Sequence, residues 1–315
     1  MAAPAMVLVL PVLPVLLVAA VWCVAVLDGV LADRAAGHRG GAGRSLVRPG
    51  QEVARLLAGQ RRTTQAADGL LRWAGIAGLI VASVLAAGVV PLGWKAPADL
   101  SVGVVWFNAM EVVAWAAVWL VGWGPDSALS LVGGYRFVAQ GLAYELPHMF
   151  AIITAALGAG SLRMSDIVDA QAGLWFAVWM PAAFAAYLLS AAAMAFWGPF
   201  DAPLGRDVAG GAAAELSGVD RLLFEGGRRL LLVAAAAMAV PLFLGGGHGP
   251  WLPAGAWVLV KTLAVLALLV WLRHRLPVVR MDRWTEISWI VLLPLTMVQA
   301  LAVALVVLAR GGGGP

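Results

Sequence analysis

Four places inside long apolar runs carry ionisable side chains: Glu111, Glu145, Arg228 with its neighbour Arg229, and Lys261. A charge at the centre of a membrane helix costs about 2.5–3.5 kcal/mol on insertion scales, so each needs a partner or a function. Glu145 is the most informative. Arg136, Gln140 and Tyr144 precede it at spacings of four, which lines them along one helical face, and Glu145 lies one position further on. A carboxylate removed from water among polar neighbours can exchange protons near neutral pH. The same residues also suit a structural ion pair between helices, and the run alone weighs the two readings evenly. Glu111 has only Asn108 at helical spacing. A cation from another span, such as Lys261, would make it a structural pair; a proton relay is the other reading. Lys261 taken alone is expected to snorkel towards the interface.

The remaining chemistry is sparse. One cysteine, Cys23, cannot form an internal disulfide or hold an iron–sulfur cluster. The four histidines, His38, His148, His248 and His274, show no metal-ligand spacing. No metal site and no covalently bound cofactor is expected. The stretch Gly37–Gly43 lacks the Gly-Lys-Ser/Thr ending of a phosphate loop. Pro199-Phe200-Asp201-Ala202-Pro203 makes a stiff, non-helical connector. With Glu215-Leu216-Ser217-Gly218 shortly after, it reads as a structured loop able to meet a partner.

These residues must be positioned by membrane helices. Charged residues make up 12% of the 315-residue chain, against about 25% in a soluble domain, and 62% are hydrophobic. That leaves too little charge to cover a water-facing surface, so lipid is the expected solvent. The net charge of +4 does not point to nucleic acid, because the basic residues sit in short loops. About eight apolar runs can cross roughly 30 Å of hydrocarbon: Ala5–Leu27, Leu70–Leu92, Val102–Trp123, Tyr135–Leu157, Ala172–Trp197, Leu222–Leu244, Trp251–Trp271 and Ile287–Leu308. The first lacks a basic start and is long for a signal peptide, so it reads as a span. Backbone groups in lipid must be satisfied within the segment, which selects helices. The expected fold is all-α: a polytopic membrane protein with about eight transmembrane helices in a single integral membrane domain over residues 1–315.

Arginines fix an expected orientation. The loop after the first run carries Arg34, Arg39, Arg44, Arg48, Arg55, Arg61 and Arg62; the loop after the fifth carries Arg206 and Arg221; the loop after the seventh carries Arg273, Arg275, Arg280 and Arg283. Odd-numbered loops are therefore expected in the cytoplasm, with both termini outward, in a cell inner (plasma) membrane. Trp94, Trp123, Trp197, Trp251, Trp271 and Trp284 suit the interfaces. In the cytoplasmic loop 28–68, Pro49–Leu57 reads as an amphipathic surface helix with Val53, Leu56 and Leu57 on one side. Loop 198–220 mixes Pro, Gly and charge. No internal repeat supports a free-standing permease built on inverted repeats.

Several segments, taken in order, resemble the membrane-arm, quinone-chamber subunit of the proton-pumping NADH:quinone oxidoreductase, the H-type member of the respiratory complex I family. Val47-Arg48-Pro49-Gly50-Gln51-Glu52-Val53-Ala54-Arg55 is similar to that family's Leu-Gln-Pro-x-Ala-Asp-x-x-Lys segment. Gly122-Trp123, Gly133-Gly134-Tyr135-Arg136 and Gln140 resemble its third-loop pattern, and Tyr144-Glu145-Leu146-Pro147 its Tyr-Glu-x-Pro signature. Pro199–Pro203 and Glu215–Gly218 resemble its quinone loop and the Glu-Tyr-Ser-Gly beyond. Trp271, Arg273, Pro277, Arg280, Asp282 and Leu292-Leu293-Pro294-Leu295 resemble its closing pattern.

The resemblance implies a membrane component that forms part of the quinone chamber and links quinone reduction to proton translocation. Quinone is then the substrate, with NADH, flavin and iron–sulfur clusters on partner subunits of the membrane and peripheral arms. It implies a relay role for Glu145, places Glu52 and Arg55 near the chamber, and has Arg136, Gln140, Tyr144, Phe200, Asp201 and Glu215 shape the chamber or coupling loop. The chain departs from the family at several acids. Where the family carries Glu-x-Glu after Pro203, this chain reads Leu204-Gly205-Arg206. The family's acid in span six falls close to Arg228, with Glu225 one turn earlier, and the Glu-Arg ending of span one is reduced to Asp28-Gly29. Leu or Arg cannot pass a proton as a carboxylate does. A divergent paralogue with rerouted coupling, using Glu111 as replacement acid, is one implication. A scaffold that moves no protons is another, and a related component of a membrane-bound hydrogenase or formate-linked complex is the alternative assembly.

Overall fold

The computed structural model describes residues 3–37, 42–93, 96–205 and 210–311. Every apolar run resolves into helix, as lipid requires. The elements are α1 (Ala3–Ala35), α2 (Ala42–Ala58), α3 (Gly69–Ala87), α4 (Gly103–Trp123), α5 (Ala128–Ala159), α6 (Met164–Asp169), α7 (Phe176–Trp179), α8 (Pro181–Met194), a 3-10 turn (Gly198–Phe200), α9 (Gly218–Phe243), α10 (Ala254–Arg275), α11 (Met281–Ile287), a π-helical turn (Ser288–Leu292) and α12 (Leu293–Gly311). Among the described residues, seven helices are long and apolar enough to cross a membrane, counting α11 to α12 as one.

The fifth expected run, Ala172–Trp197, is broken and leaves no helix long enough to span. Pro181 has no N–H to continue a helix and disfavours helical backbone at the residue before it. Met180 accordingly sits at φ −120°, ψ 50°. The run becomes the short turn α7 and the 14-residue α8. Buried Gln171 stitches the broken end. Its Nε2 donates to Pro241 O at 2.7 Å and Ile167 O at 3.1 Å, while its Oε1 accepts from the backbone N–H of Phe176 and Gly245.

The structure corrects two loop expectations. α1 continues past Leu27 to Ala35, because its extra acids find partners: Asp28 meets Arg273 and His274 of α10, and Asp33 meets Arg48 of α2. The amphipathic helix is longer than Pro49–Leu57, and its three apolar residues do not share a side. Leu56 is turned into the protein, whereas Leu57 is exposed together with Leu46 and Val47.

Helix association in lipid relies on close packing more than on water exclusion. The centre is α9, whose run Leu231–Ala236 is fully enclosed, against α3, α8 and α10. Small residues let backbones approach: a Cβ on Gly75 of α3 would lie 2.5 Å from Ala117 O of α4. The exposed Val and Trp side chains of α1 and the exposed Leu, Val and Met side chains of α12 form an outer belt.

The connections sort to two ends. Arg61, from the segment after α2, bonds Asp220 at the start of α9; Asp68 N donates to Gly124 O beyond α4; and Val279 N donates to Pro199 O. At the opposite end Val104 N donates to Leu162 O and Gly245 N to Gln171 Oε1. All odd-numbered connections therefore lie together.

Candidate functional site

Within the helix bundle, α4, α5 and α8 enclose a polar cluster. Glu111 of α4 is 1% exposed, and its partner is His148 of α5, itself completely enclosed, with Oε2 to Nε2 at 3.1 Å. Glu145, one turn before His148, is partly buried and accepts from Asn108 Nδ2 at 3.4 Å. Tyr187 of α8 lies over His148 with ring centroids 5.2 Å apart, and its hydroxyl donates to Ala235 O at 2.8 Å. Tyr144 accepts from Trp115 Nε1 at 2.8 Å. Gly141 makes that bond possible, since a Cβ there would come within 2.6 Å of the Trp115 ring.

Lys261 is not the partner of Glu111, and it does not snorkel. Its Nζ donates to the carbonyls of Leu244, Gly246 and His248 at 2.6, 2.9 and 2.7 Å, beneath the Trp175 and Trp257 rings. It closes the turn between α9 and α10. Weighing the histidines only as metal ligands misses His148. The signal that points to it is its place four residues after Tyr144, on the same helical face. Among the described residues no group of three or more His, Cys, Asp or Glu converges as a metal site.

The polar residues at the start of α5 serve the other end of the bundle. Gln140 is buried and donates to Ala193 O at 2.7 Å and Phe200 O at 3.1 Å. Arg136 donates to Gly210 O at 3.0 Å. These bonds fasten the segment between α8 and α9. Phe200 is buried with its ring centroid 4.3 Å from that of Trp284. Asp201 turns the chain, its carbonyl accepting from Leu204 N. Glu215 accepts from Ser127 Oγ at 2.8 Å at the α4–α5 turn. Arg206 lies outside the described residues.

A second set of charges lies beside this segment. Arg228 is completely buried, 3.0 Å from Glu225, and donates to Phe196 O at 3.1 Å. Trp197 is flanked by two guanidiniums, Arg228 at 4.9 Å and Arg273 at 4.5 Å from its centroid. Asp220, 2% exposed, binds Arg61 at 3.0 Å and Arg72 at 3.2 Å. Arg61, an orientation charge by sequence, thus also braces α9. Glu52 and Arg55 stand apart from both clusters as an exposed pair on α2, 2.6 Å apart. The Arg55 hydrogen bond holds the Glu52 carboxyl below its ordinary range, so Glu52 is a fixed negative charge at neutral pH.

Residues 3–304 match the family model described as NADH dehydrogenase. Similar curated proteins include the NADH-quinone oxidoreductase H-type subunit 1 of Geobacter metallireducens, 35% identical over 278 residues, or 84% of each chain. The H-type subunit 2 of Geobacter sulfurreducens is 36% identical over 81% of each chain. The H-type subunit 1 of Rhodopseudomonas palustris is 39% identical over 71% of this chain and 70% of its own. The chain belongs to the NADH dehydrogenase family.

Two of the segments that carry the NADH dehydrogenase family resemblance meet at one end of the bundle, while Tyr144-Glu145 lies deeper along α5. Pro199–Pro203 and Glu215–Gly218 are held there by Gln140 and Ser127. The departures from the family pattern are structured as well. Leu204 is buried among apolar neighbours, and Arg228 with Glu225 forms a closed pair where the family pattern has an acid.

Proposed function

We propose that this chain is the membrane component of an NADH-quinone oxidoreductase that helps form the quinone chamber and passes the effect of quinone reduction into a proton path through Glu145. It is a single membrane domain and carries no redox centre; NADH, flavin and iron–sulfur clusters reside on partner subunits. Segments 28–68 and 198–220 form its cytoplasmic face, in a cell inner membrane, where the peripheral arm and quinone meet it. Arg136, Gln140, Phe200, Asp201 and Glu215 shape that chamber and its coupling loop, with Tyr144 one turn further along α5 beside the Glu111–His148 pair and the Glu52–Arg55 pair at the chamber's margin. The observation that carries the reading is a carboxylate, Glu145, half-buried in α5 with, among the described residues, only a long bond from Asn108, beside the acid–base pair Glu111–His148. A carboxylate placed only for structure would be locked by a short charge-assisted bond. Quinone reduction changes charge at the chamber, and the bonds from Gln140 and Arg136 connect the coupling loop to the same helix.

The test is Glu145→Gln in the assembled complex in sealed vesicles. Subunits copurifying with the tagged chain should be unchanged, and protons moved per quinone reduced should fall by roughly tenfold or more. Full pumping in this variant would make Glu145 structural. One observation favours a second reading, the scaffold that moves no protons. Arg228, near the family's acid in span six, is fixed by Glu225 and Phe196 O and offers no exchangeable carboxyl. Quinone reduction by the wild-type complex without any proton gradient would select it.

A further inference from the structure

We infer that Glu111 and His148 together form a proton-holding site inside the bundle, with His148 as the group that takes up and releases the proton. The inference deepens the Glu145 reading and rests on it. The pair bridges two helices, α4 and α5, and is shut off from solvent, with exposures of 1% and 0%. An ion pair placed only for stability needs its remaining polar atoms filled, because desolvating two charges costs several kcal/mol per ion. That condition is not met. Among the described residues His148 Nδ1 has no hydrogen-bond partner, while the Tyr144 hydroxyl lies in reach of the Glu111 carboxylate. Phe107 and Tyr187 offer ring faces to the imidazole instead of donors.

The charge arithmetic favours proton uptake. Glu111 carboxylate with neutral His148 carries one negative charge. Addition of a proton to the ring gives carboxylate and imidazolium, which is neutral overall. A lone buried histidine would become an uncompensated cation on loading, whereas this one becomes half of a pair. The groups facing it are few. From α4 come Glu111 and Asn108, from α5 itself Tyr144 and Glu145, and from α8 Tyr187. Glu145 lies one turn away on the same face, near enough for one bridging water. The step is a transfer: the Glu145 carboxylic acid loses a proton and becomes carboxylate, and the His148 ring gains it at one nitrogen. Return of the proton from Nδ1, the unpartnered nitrogen, to the Glu145 carboxylate regenerates the neutral ring and the Glu145 acid.

The experiment uses the whole complex in sealed vesicles with three variants of this chain: Glu145→Gln, the double variant Glu111→Gln with His148→Gln, and the double variant Glu111→Leu with His148→Leu. Both doubles remove the two charges together, so neither strands a buried ion. Assembly is read from the copurifying subunits. The inference expects at least one double to assemble and to move roughly tenfold fewer protons per quinone reduced than wild type. Unchanged proton yield in an assembled double overturns it. Failure of both doubles to assemble also overturns it, since the pair would then be a brace. The Glu145→Gln arm separates the two claims. Lost pumping there with retained pumping in the doubles sinks only the pair, whereas retained pumping there sinks the Glu145 reading itself.

Discussion

Each of the three hydrogens on Lys261 Nζ has a carbonyl to meet, which is why a cation inside an apolar run can be purely architectural. Its sequence context suggests instead a flexible side chain reaching for the interface. The two possibilities separate cleanly in stability. Hydrogen bonds from a charged group contribute about 1.5–3 kcal/mol each, whereas a substitution on a solvated side chain stays within about 0.5 kcal/mol. Lys261→Met should therefore lower the thermal midpoint of the purified complex by several degrees, corresponding to about 2 kcal/mol or more lost at the α9–α10 turn. A midpoint equal to wild type would return Lys261 to the interface. Glu111 presents the opposite case. Its burial and its need for a partner are readable from sequence, but the partner is not. Pairing across helices depends on rotation of α4 against α5, and no spacing within either run encodes that.

At the scale of elements, all eight apolar runs can be located because hydrocarbon leaves the backbone no alternative to helix. Interruptions are harder to read. Pro147 and Pro241 sit inside unbroken helices, while Pro181 ends one. The difference lies in Gln171, which supplies bonds to Phe176 N and to the carbonyl of Pro241 and so stabilises the break from another segment. The segment between α8 and α9 is legible as a structured loop from its prolines. Its anchorage to α5 is not, because that depends on one close approach. A methyl group at Gly133 would overlap the backbone of Gly211 and Ala212. Gly133→Ala should leave the chain inserted in the membrane but detach residues 210–213 from α5, weakening the Arg136–Gly210 bond. The expected readout is faster protease cleavage in this segment and quinone reduction reduced roughly tenfold, since small misplacements of positioning residues carry large rate costs. Wild-type cleavage and rate would show that the loop tolerates displacement.

For the whole molecule, sidedness is the property on which the proposed role depends, since a quinone chamber must open where a peripheral arm can dock. The bonds Arg61–Asp220, Asp68–Gly124 and Val279–Pro199 collect the odd-numbered connections at one end, and the arginine-rich segments lie at that same end. Basic loops are retained in the cytoplasm, so this end should face inward. Cys23 is the one native thiol, and replacing it with Ser gives a clean background. Gln60→Cys marks the arginine-rich end, and Ala172→Cys marks the opposite end; both positions are exposed. A membrane-impermeant maleimide should label Gln60→Cys in inverted vesicles and not in right-side-out ones, with Ala172→Cys showing the reverse. The reciprocal pattern would put the Gln140-anchored loop outside the cell and remove it from any cytoplasmic arm. The chamber assignment would then fail, while the helix packing and the Glu111–His148 pair would stand unchanged.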